Sequence, residues 1–306
     1  MAAEKGLSLC GVCRQLGYSK QAYYKSLSRK KVAGLQFQEI KGKVLAVRHQ
    51  LPRLGTRKLY KLLGEELRQQ GLKIGRDRLF DLLRRESLLV VRKRKYVSTT
   101  DSRLWMRQYP NLVQDMELNR PEQIWVADIT YLSTKQGYNY LHLVTDAYSK
   151  KIMGYKHSDN LEAGTSLQAL KMAFKHRSHK HALVHHSDRG LQYCSKEYTG
   201  LLKENNVSIS MTQNGSPYDN AIAERVNGIL KQEFGLDELF ENMQEAGKQI
   251  DESIALYNRM RPHTSNHLLT PDEMHQQDKL KPRAWHKKTT RTLEGPGGFL
   301  PSHLII

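Results

Sequence analysis

The chain has 306 residues, 39% of them hydrophobic and 26% charged, and its 49 Lys and Arg against 31 Asp and Glu give a formal charge of +18. No run approaches the roughly 18 consecutive apolar residues of a membrane span, the N-terminus lacks the apolar stretch of a secretory signal, and Cys10, Cys13 and Cys194 are too few for a disulfide framework, so the cytoplasm is the expected compartment. The charge is unevenly placed: residues 1–120 hold 27 Lys and Arg against 10 Asp and Glu, while residues 121–306 hold 22 against 21. A basic arm joined to a near-neutral body points to a polyanionic partner, nucleic acid before any other.

In chain order, residues 1–30 read as a helix-turn-helix: a helical pattern over 8–16, a break at Gly17, and Ser19 as the N-cap of a second short helix ending near Leu27. Cys10 and Cys13 have a zinc-like spacing, but His49 is the only histidine before His142 and there is no second pair, so no zinc is expected. Residues 35–90 read as a second helix-turn-helix. Leu59, Leu62, Leu63 and Leu67 recur at helical spacing, Gly71 ends that helix, and a further helix from Arg76 carries Leu79, Leu82 and Leu83 on its apolar face. Arg57, Lys58, Arg76, Arg78, Arg84 and Arg85 are then the candidate DNA-binding residues of this module, whose second helix would enter the major groove. Residues 91–120 read as a basic linker, with Arg92, Lys93, Arg94 and Lys95 placed to lie on phosphates without reading sequence.

Beyond residue 120 the pattern changes. Strands are predicted over 124–132, 138–146 and 151–157 from their β-branched and aromatic content, the first two joined as a hairpin through Gly137. A helix over 161–175, a short buried strand over 182–186, a helix over 196–205 and a strand over 207–211 follow, which together describe a mixed α/β sheet. Residues 121–278 form this unit with its C-terminal helices, and 279–306 read as an irregular tail.

Three acids stand out by position. Asp128 interrupts a strand, against β-propensity. Asp188 sits just past another strand, where ligands gather in α/β sheets, and Glu224 lies on a helix whose exposed stripe is expected to include Asn220, Glu224, Asn227 and Lys231. Each has an ordinary structural explanation: Asp128 accepting backbone hydrogen bonds, Asp188 pairing with Arg189, Glu224 simply solvated. A shared role would resolve all three at once. Bare carboxylates repel a phosphodiester, whereas carboxylates holding divalent metal attract it, and hard oxygen ligands select Mg²⁺ or Mn²⁺.

The spacing is 60 residues from Asp128 to Asp188, 36 from Asp188 to Glu224 and 7 from Glu224 to Lys231. With Trp125-Val126-Ala127-Asp128-Ile129-Thr130-Tyr131, His186-Ser187-Asp188-Arg189-Gly190, Asn214-Gly215-Ser216-Pro217-Tyr218-Asp219-Asn220 and the later Tyr257-Asn258-Arg259 and Arg261-Pro262-His263, it resembles the OrfB-type insertion-sequence transposases of the retroviral-integrase (DDE) superfamily. The resemblance covers nearly the whole chain. It implies an α/β, ribonuclease-H-like mixed-sheet core preceded by small all-α helix-turn-helix modules. It also implies two Mg²⁺ ions, or Mn²⁺, held by Asp128, Asp188 and Glu224, with DNA contacts from Lys231 and from Asn220, which either orients the Glu-bearing helix or touches substrate. The expected reaction is cleavage at the terminal inverted repeats of an element and joining of a 3′-hydroxyl to target DNA, by a homo-multimer, with an upstream-frame (OrfA-type) protein as a further partner. Three other readings compete: a DNA-binding regulator with an inactive core, a tyrosine or serine recombinase using Tyr257 or Ser187, and a ribonuclease acting on RNA–DNA hybrids.

Overall fold

A computed structural model describes residues 8–91, 109–114, 116–213 and 220–283. The basic run Arg92, Lys93, Arg94 and Lys95, the 214–219 part of the third motif and residues 284–306 of the expected tail lie outside the described residues.

The N-terminal part is all helical. Ser8 caps α1 (Leu9–Gln15) by accepting from Gly11 N, and Gly17, at φ +72°, makes the turn that no larger residue adopts easily. Ser19 caps α2 through Ala22 N as expected, but the helix predicted to end near Leu27 runs on as Lys20–Gln50, 31 residues, through the interval where two modules were expected to part. Only its C-terminal portion finds a core: Ile40 and Val44 pack with Leu59, Leu63, Leu67, Leu79 and Leu83 of α3 (Thr56–Gln69) and α4 (Arg76–Arg85). The expected leucine faces are the buried ones, with Leu62 and Leu82 at their half-buried edges. Gly71, at φ +74°, ends the α3 unit.

The C-terminal part is a three-layer α/β/α unit. Its six-stranded sheet has the order β3-β2-β1-β4-β5, in which β1 (Ile124–Thr134), β2 (Gly137–Asp146) and β3 (Ile152–Ser158) are antiparallel, while β4 (Leu183–Ser187) and β5 (Val207–Met211) continue parallel to β1. This is the ribonuclease-H-like arrangement that the resemblance implies. One face carries Trp125, Ala127, Val144 and Met153 against α5 (Ala163–His176) and, after the single turn α6 (Leu191–Cys194), α7 (Lys196–Glu204). Gly154 lets β3 approach α5 so closely that a Cβ there would stand 2.1 Å from the Ala169 carbonyl oxygen.

The opposite face carries Leu132, Leu141, Leu143 and Ile152 against α8 (Ala221–Phe234) and, beyond the short strand β6 (Leu239–Phe240) that pairs with the end of β1, against α9 (Met243–Met260). The Tyr-Asn-Arg and Arg-Pro-His motif residues lock these helices in place. Asn258 exchanges two hydrogen bonds of 3.0 Å with the backbone of Ile152, Tyr257 donates to the Lys150 carbonyl, and Arg261, 1% exposed, makes a bidentate pair with Glu233 at the end of α8. Part of the expected linker belongs to this unit, since Leu112 N donates to Ser210 Oγ and Met211 N to the Pro110 carbonyl. At the other end of the unit, the Leu280 carbonyl accepts from the Tyr148 hydroxyl.

Candidate active site

Asp128 and Asp188 meet through strand register. Strand β1 pairs with β4 as Ile124↔Val184, Trp125↔His185 and Val126↔His186, an offset of 60 residues. Two residues further on, the same offset sets Asp188 beside Asp128, so the separation seen in the sequence is the register of a parallel pair. Asp188 lies just after β4, where its Oδ1 accepts from Gly190 N at 2.9 Å, and Arg189, its partner in the ordinary structural explanation, turns instead to the Thr212 carbonyl.

Asp128 faces α8. Its Oδ1 accepts from Ile129 N at 3.0 Å and its Oδ2 from Asn227 Nδ2 at 2.7 Å. Burial first, and then the Asp188 carboxylate with a smaller push from Glu224, raises Asp128 to about 7 in spite of those donors. Burial also holds Asp188 above its ordinary value. Glu224 itself, in the first turn of α8, is exposed.

The expected exposed stripe on α8 is corrected in two places. Asn227 is 6% exposed and clamps Asp128, and Asn220 is 8% exposed and donates to the Ala127 carbonyl at 3.2 Å. Asn220 thus ties the start of the Glu-bearing helix to the Asp-bearing strand. Lys231 is half-buried, with Nζ 5.0 Å from the centre of the Tyr131 ring; burial lowers it, and the charge of Asp128 works the other way.

Metal fits this donor set. All three donors are carboxylates, and burial beside the Asp188 carboxylate makes Asp128 resist ionisation, a cost that a bound cation would offset. Their ligand atoms do not all lie within 4.8 Å of one another, a criterion that among the described residues is met by Glu122, His179 and His275.

The Glu122 group has other business. Glu122, 0% exposed, accepts from Ser178 N and His179 N, while the His275 ring, closing the five-residue α10 (Pro271–His275), stands 3.3 Å from Glu122 and 3.6 Å from Asp146. Arg177 approaches Glu122 at 3.7 Å, and Lys151 opposes the charge of His275 from the other side. Burial alone would lower His275, but hydrogen bonds to Asp146 and Glu122 outweigh it and raise the ring above its ordinary 6.5. Burial would likewise raise Glu122, yet its donors hold it below 4.5. The His275 contribution is therefore complete below about pH 6.5 and lost as pH rises through the higher folded value; that of Glu122 is complete above about pH 4.5 and lost as pH falls through the lower one. Thermal melts should show the His275→Ala penalty largest between those limits and shrinking above neutral pH; a penalty independent of pH would contradict the clamp.

Of the candidate DNA contacts, Arg57, Arg76, Arg78, Arg84 and Arg85 are exposed. Lys58 departs from that pattern: it pairs with Glu233 at 3.5 Å across the interface with α8, and burial, reinforced by Arg261, lowers it to about 7. A cleft of about 940 Å³ lies there, between α3–α4 and α8 and away from the carboxylates. Arg53 and Arg225 line it alongside Arg57 and Arg76. Neither was a sequence candidate, because each is basic in a helical or loop context without any motif. The recombinase nucleophiles find no support: Tyr257 and Ser187 are 0% and 1% exposed, with their hydroxyls donated to the carbonyls of Lys150 and Asp188.

Comparison with known proteins gives the family. Two models, each described as an integrase core domain, match residues 119–217 and 205–271. The insertion element IS600 uncharacterized 31 kDa protein of Shigella sonnei is 34% identical over 257 residues, covering 83% of this chain and 93% of that protein. The transposase InsF for insertion sequence IS3A of Escherichia coli (strain K12) is 34% identical over 213 residues, 69% of this chain and 74% of the relative. The chain belongs to the insertion-sequence transposases that carry an integrase core domain. Among solved structures, the HTLV-2 integrase catalytic core domain in complex with magnesium aligns with a TM-score of 0.42 at 17% identity, over 51% of this chain and 97% of that one. As a DDE transposase this protein is an enzyme that acts on DNA and depends on divalent metal, and among the described residues no helix is long and apolar enough to cross a membrane.

Proposed function

We propose that Asp128, Asp188 and Glu224 are the metal-holding acids of this transposase, and that they take two Mg²⁺ ions, with Mn²⁺ as a substitute. The observation that carries this reading is the β1–β4 register, which sets two carboxylates side by side at a strand end while α8 brings the third, at a cost in Asp128 ionisation that only a cation removes. When bound, the ions activate a hydroxyl nucleophile and stabilise the leaving oxygen of a phosphodiester.

The chain's own residues do the positioning. Asn227 and the Ile129 amide fix both oxygens of Asp128, the Gly190 amide fixes Asp188, and Asn220 anchors the start of the Glu224 helix. Lys231 places a cation next to the acids for the substrate phosphate. The overall reaction is strand cleavage by water at the terminal inverted repeats of a bacterial insertion sequence, then attack of the freed 3′-hydroxyl on target DNA. The exposed arginines of α3 and α4, with Arg92, Lys93, Arg94 and Lys95, hold the duplex by its phosphates. Synapsis of two ends calls for a homo-multimer, and an upstream-frame protein is the proposed further partner, both acting in the cytoplasm.

The test is Asp188→Asn on oligonucleotides carrying the element's ends in Mg²⁺. Cleavage and joining should fall about a thousandfold or more, while gel-shift affinity for the same ends, measured in Ca²⁺, stays within a few-fold. Unchanged cleavage would overturn the assignment.

A further inference from the structure

Next to the acids lies a feature that metal chemistry leaves unexplained. A cleft of about 570 Å³ has Asp128 and Asp188 at one lip, and tyrosines and Leu161 along its wall. Three of those tyrosines share one face of the β1–β2 hairpin: Tyr131 is registered opposite Tyr140, and Tyr138 lies two residues before Tyr140 on the same strand. Tyr140 is half-buried, but Tyr131 and Tyr138 are 47% and 66% exposed, their rings 6.2 Å apart at 70°. Large aromatic surface left to water at a strand end offsets its cost only when something covers it. The Lys231 ammonium, 5.0 Å from the centre of the Tyr131 ring, adds a cation beside a cleft that is lined by aromatic rings and two carboxylates.

The occupant that matches all of these at once is a nucleotide. Its base is flat and has a π-face whatever its identity, its phosphate is anionic and suits Lys231, and its phosphodiester must reach the acids. We infer that Tyr131 and Tyr138 form a stacking platform for an unpaired base of the DNA end, the nucleotide adjoining the scissile phosphate. Taking that base out of the duplex brings the phosphodiester to Asp128 and Asp188, which a stacked, paired end reaches less well. The inference rests on the reading of the three acids, and it makes the tyrosines positioning residues for the same reaction.

The experiment uses the full chain and a duplex end carrying 2-aminopurine at each of the three terminal positions in turn, bound in Ca²⁺. At one position the wild-type protein should first brighten the probe as it leaves the duplex and then quench it in a second, slower phase as it stacks on tyrosine. Tyr131→Leu with Tyr138→Leu should keep the first phase and lose the second, whereas Tyr131→Phe with Tyr138→Phe should keep both. In Mg²⁺ the leucine pair should join strands about tenfold more slowly, and an abasic site at the responsive position should erase the difference between wild type and variant. The inference is overturned if quenching is the same in the leucine pair, if no position responds, or if the leucine pair instead changes the protein's mass in solution, which would make the tyrosines a protein interface. Asp188→Asn keeps the readings apart: quenching with cleavage lost supports both, and quenching with cleavage retained removes the acids' role while leaving the platform standing.

Discussion

Asp128→Asn should abolish strand cleavage and joining and at the same time raise the melting temperature of the metal-free protein. Burial and Asp188 lift the Asp128 carboxyl from 3.8 to about 7, so the folded chain binds a proton that the unfolded chain has released. Stability contributed at this site therefore declines as pH rises from about 4 to about 7, and above that the whole penalty is present. Asparagine cannot ionise and still accepts from Asn227 or the Ile129 amide, though not from both as well as a carboxylate does. At pH 8 without metal the variant should melt about 2–6 °C higher than wild type, and near pH 4 the gain should vanish. Divalent metal should reverse the order, stabilising the wild type and leaving the variant unmoved. The same proton governs metal affinity, which should tighten as pH rises through about 7, where Asp128 gives it up. A variant that melts lower than wild type at pH 8, measured by circular dichroism, would contradict this account.

Gly154→Ala should be the most damaging conservative change in the sheet. The added Cβ would stand 2.1 Å from the Ala169 carbonyl oxygen and 2.6 Å from the Ala173 nitrogen, both of them helix backbone that cannot swing aside. To make room, α5 must lift from β3, uncovering Met153, Ala169 and Ala173, all at 0–1% exposure. Overpacking of this kind costs about 3 kcal/mol or more, and the melting temperature should drop by about 6–10 °C. Gly164, on the same helix with nothing within 4 Å of an added Cβ, is the control: its alanine variant should melt at or above the wild-type temperature.

How much of this was legible in the sequence depended on whether a residue's surroundings were local. The strands announced themselves through runs of β-branched and aromatic residues, and α3 and α4 through leucines at helical spacing whose partners lie on the adjacent helix. The length of α2 was not legible, because residues 20–39 are largely exposed and so carry no stripe for periodicity to detect. Asn220 and Asn227 read as solvent-facing, since polar residues on a helix usually are; only the third dimension shows Asp128 and the Ala127 carbonyl waiting for them. Lys58 read as one basic residue among several, and its partner Glu233 lies 175 residues away. The link between Glu122 and His275 spans 153 residues with no motif at either end. The tyrosines are legible too: Tyr138 and Tyr140 alternate onto one face of the predicted hairpin, and Tyr131 lies opposite Tyr140 on that face.

The β1–β4 register also says which changes of length this transposase can absorb. What fixes Asp188 beside Asp128 is the pairing of three residues with three, and the chain between the strands only has to return to the same starting point. Residues added between β3 and α5, around Asp159 to Leu161, lengthen an exposed connection and leave both acids where they are. A single residue added between Val126 and Asp128 rotates the acid to the opposite face of the sheet, among Trp125 and Ala127, and takes it away from α8. Relatives in this family are therefore free to differ in the count from one aspartate to the next, while the parity of residues between the paired segment and each aspartate is held.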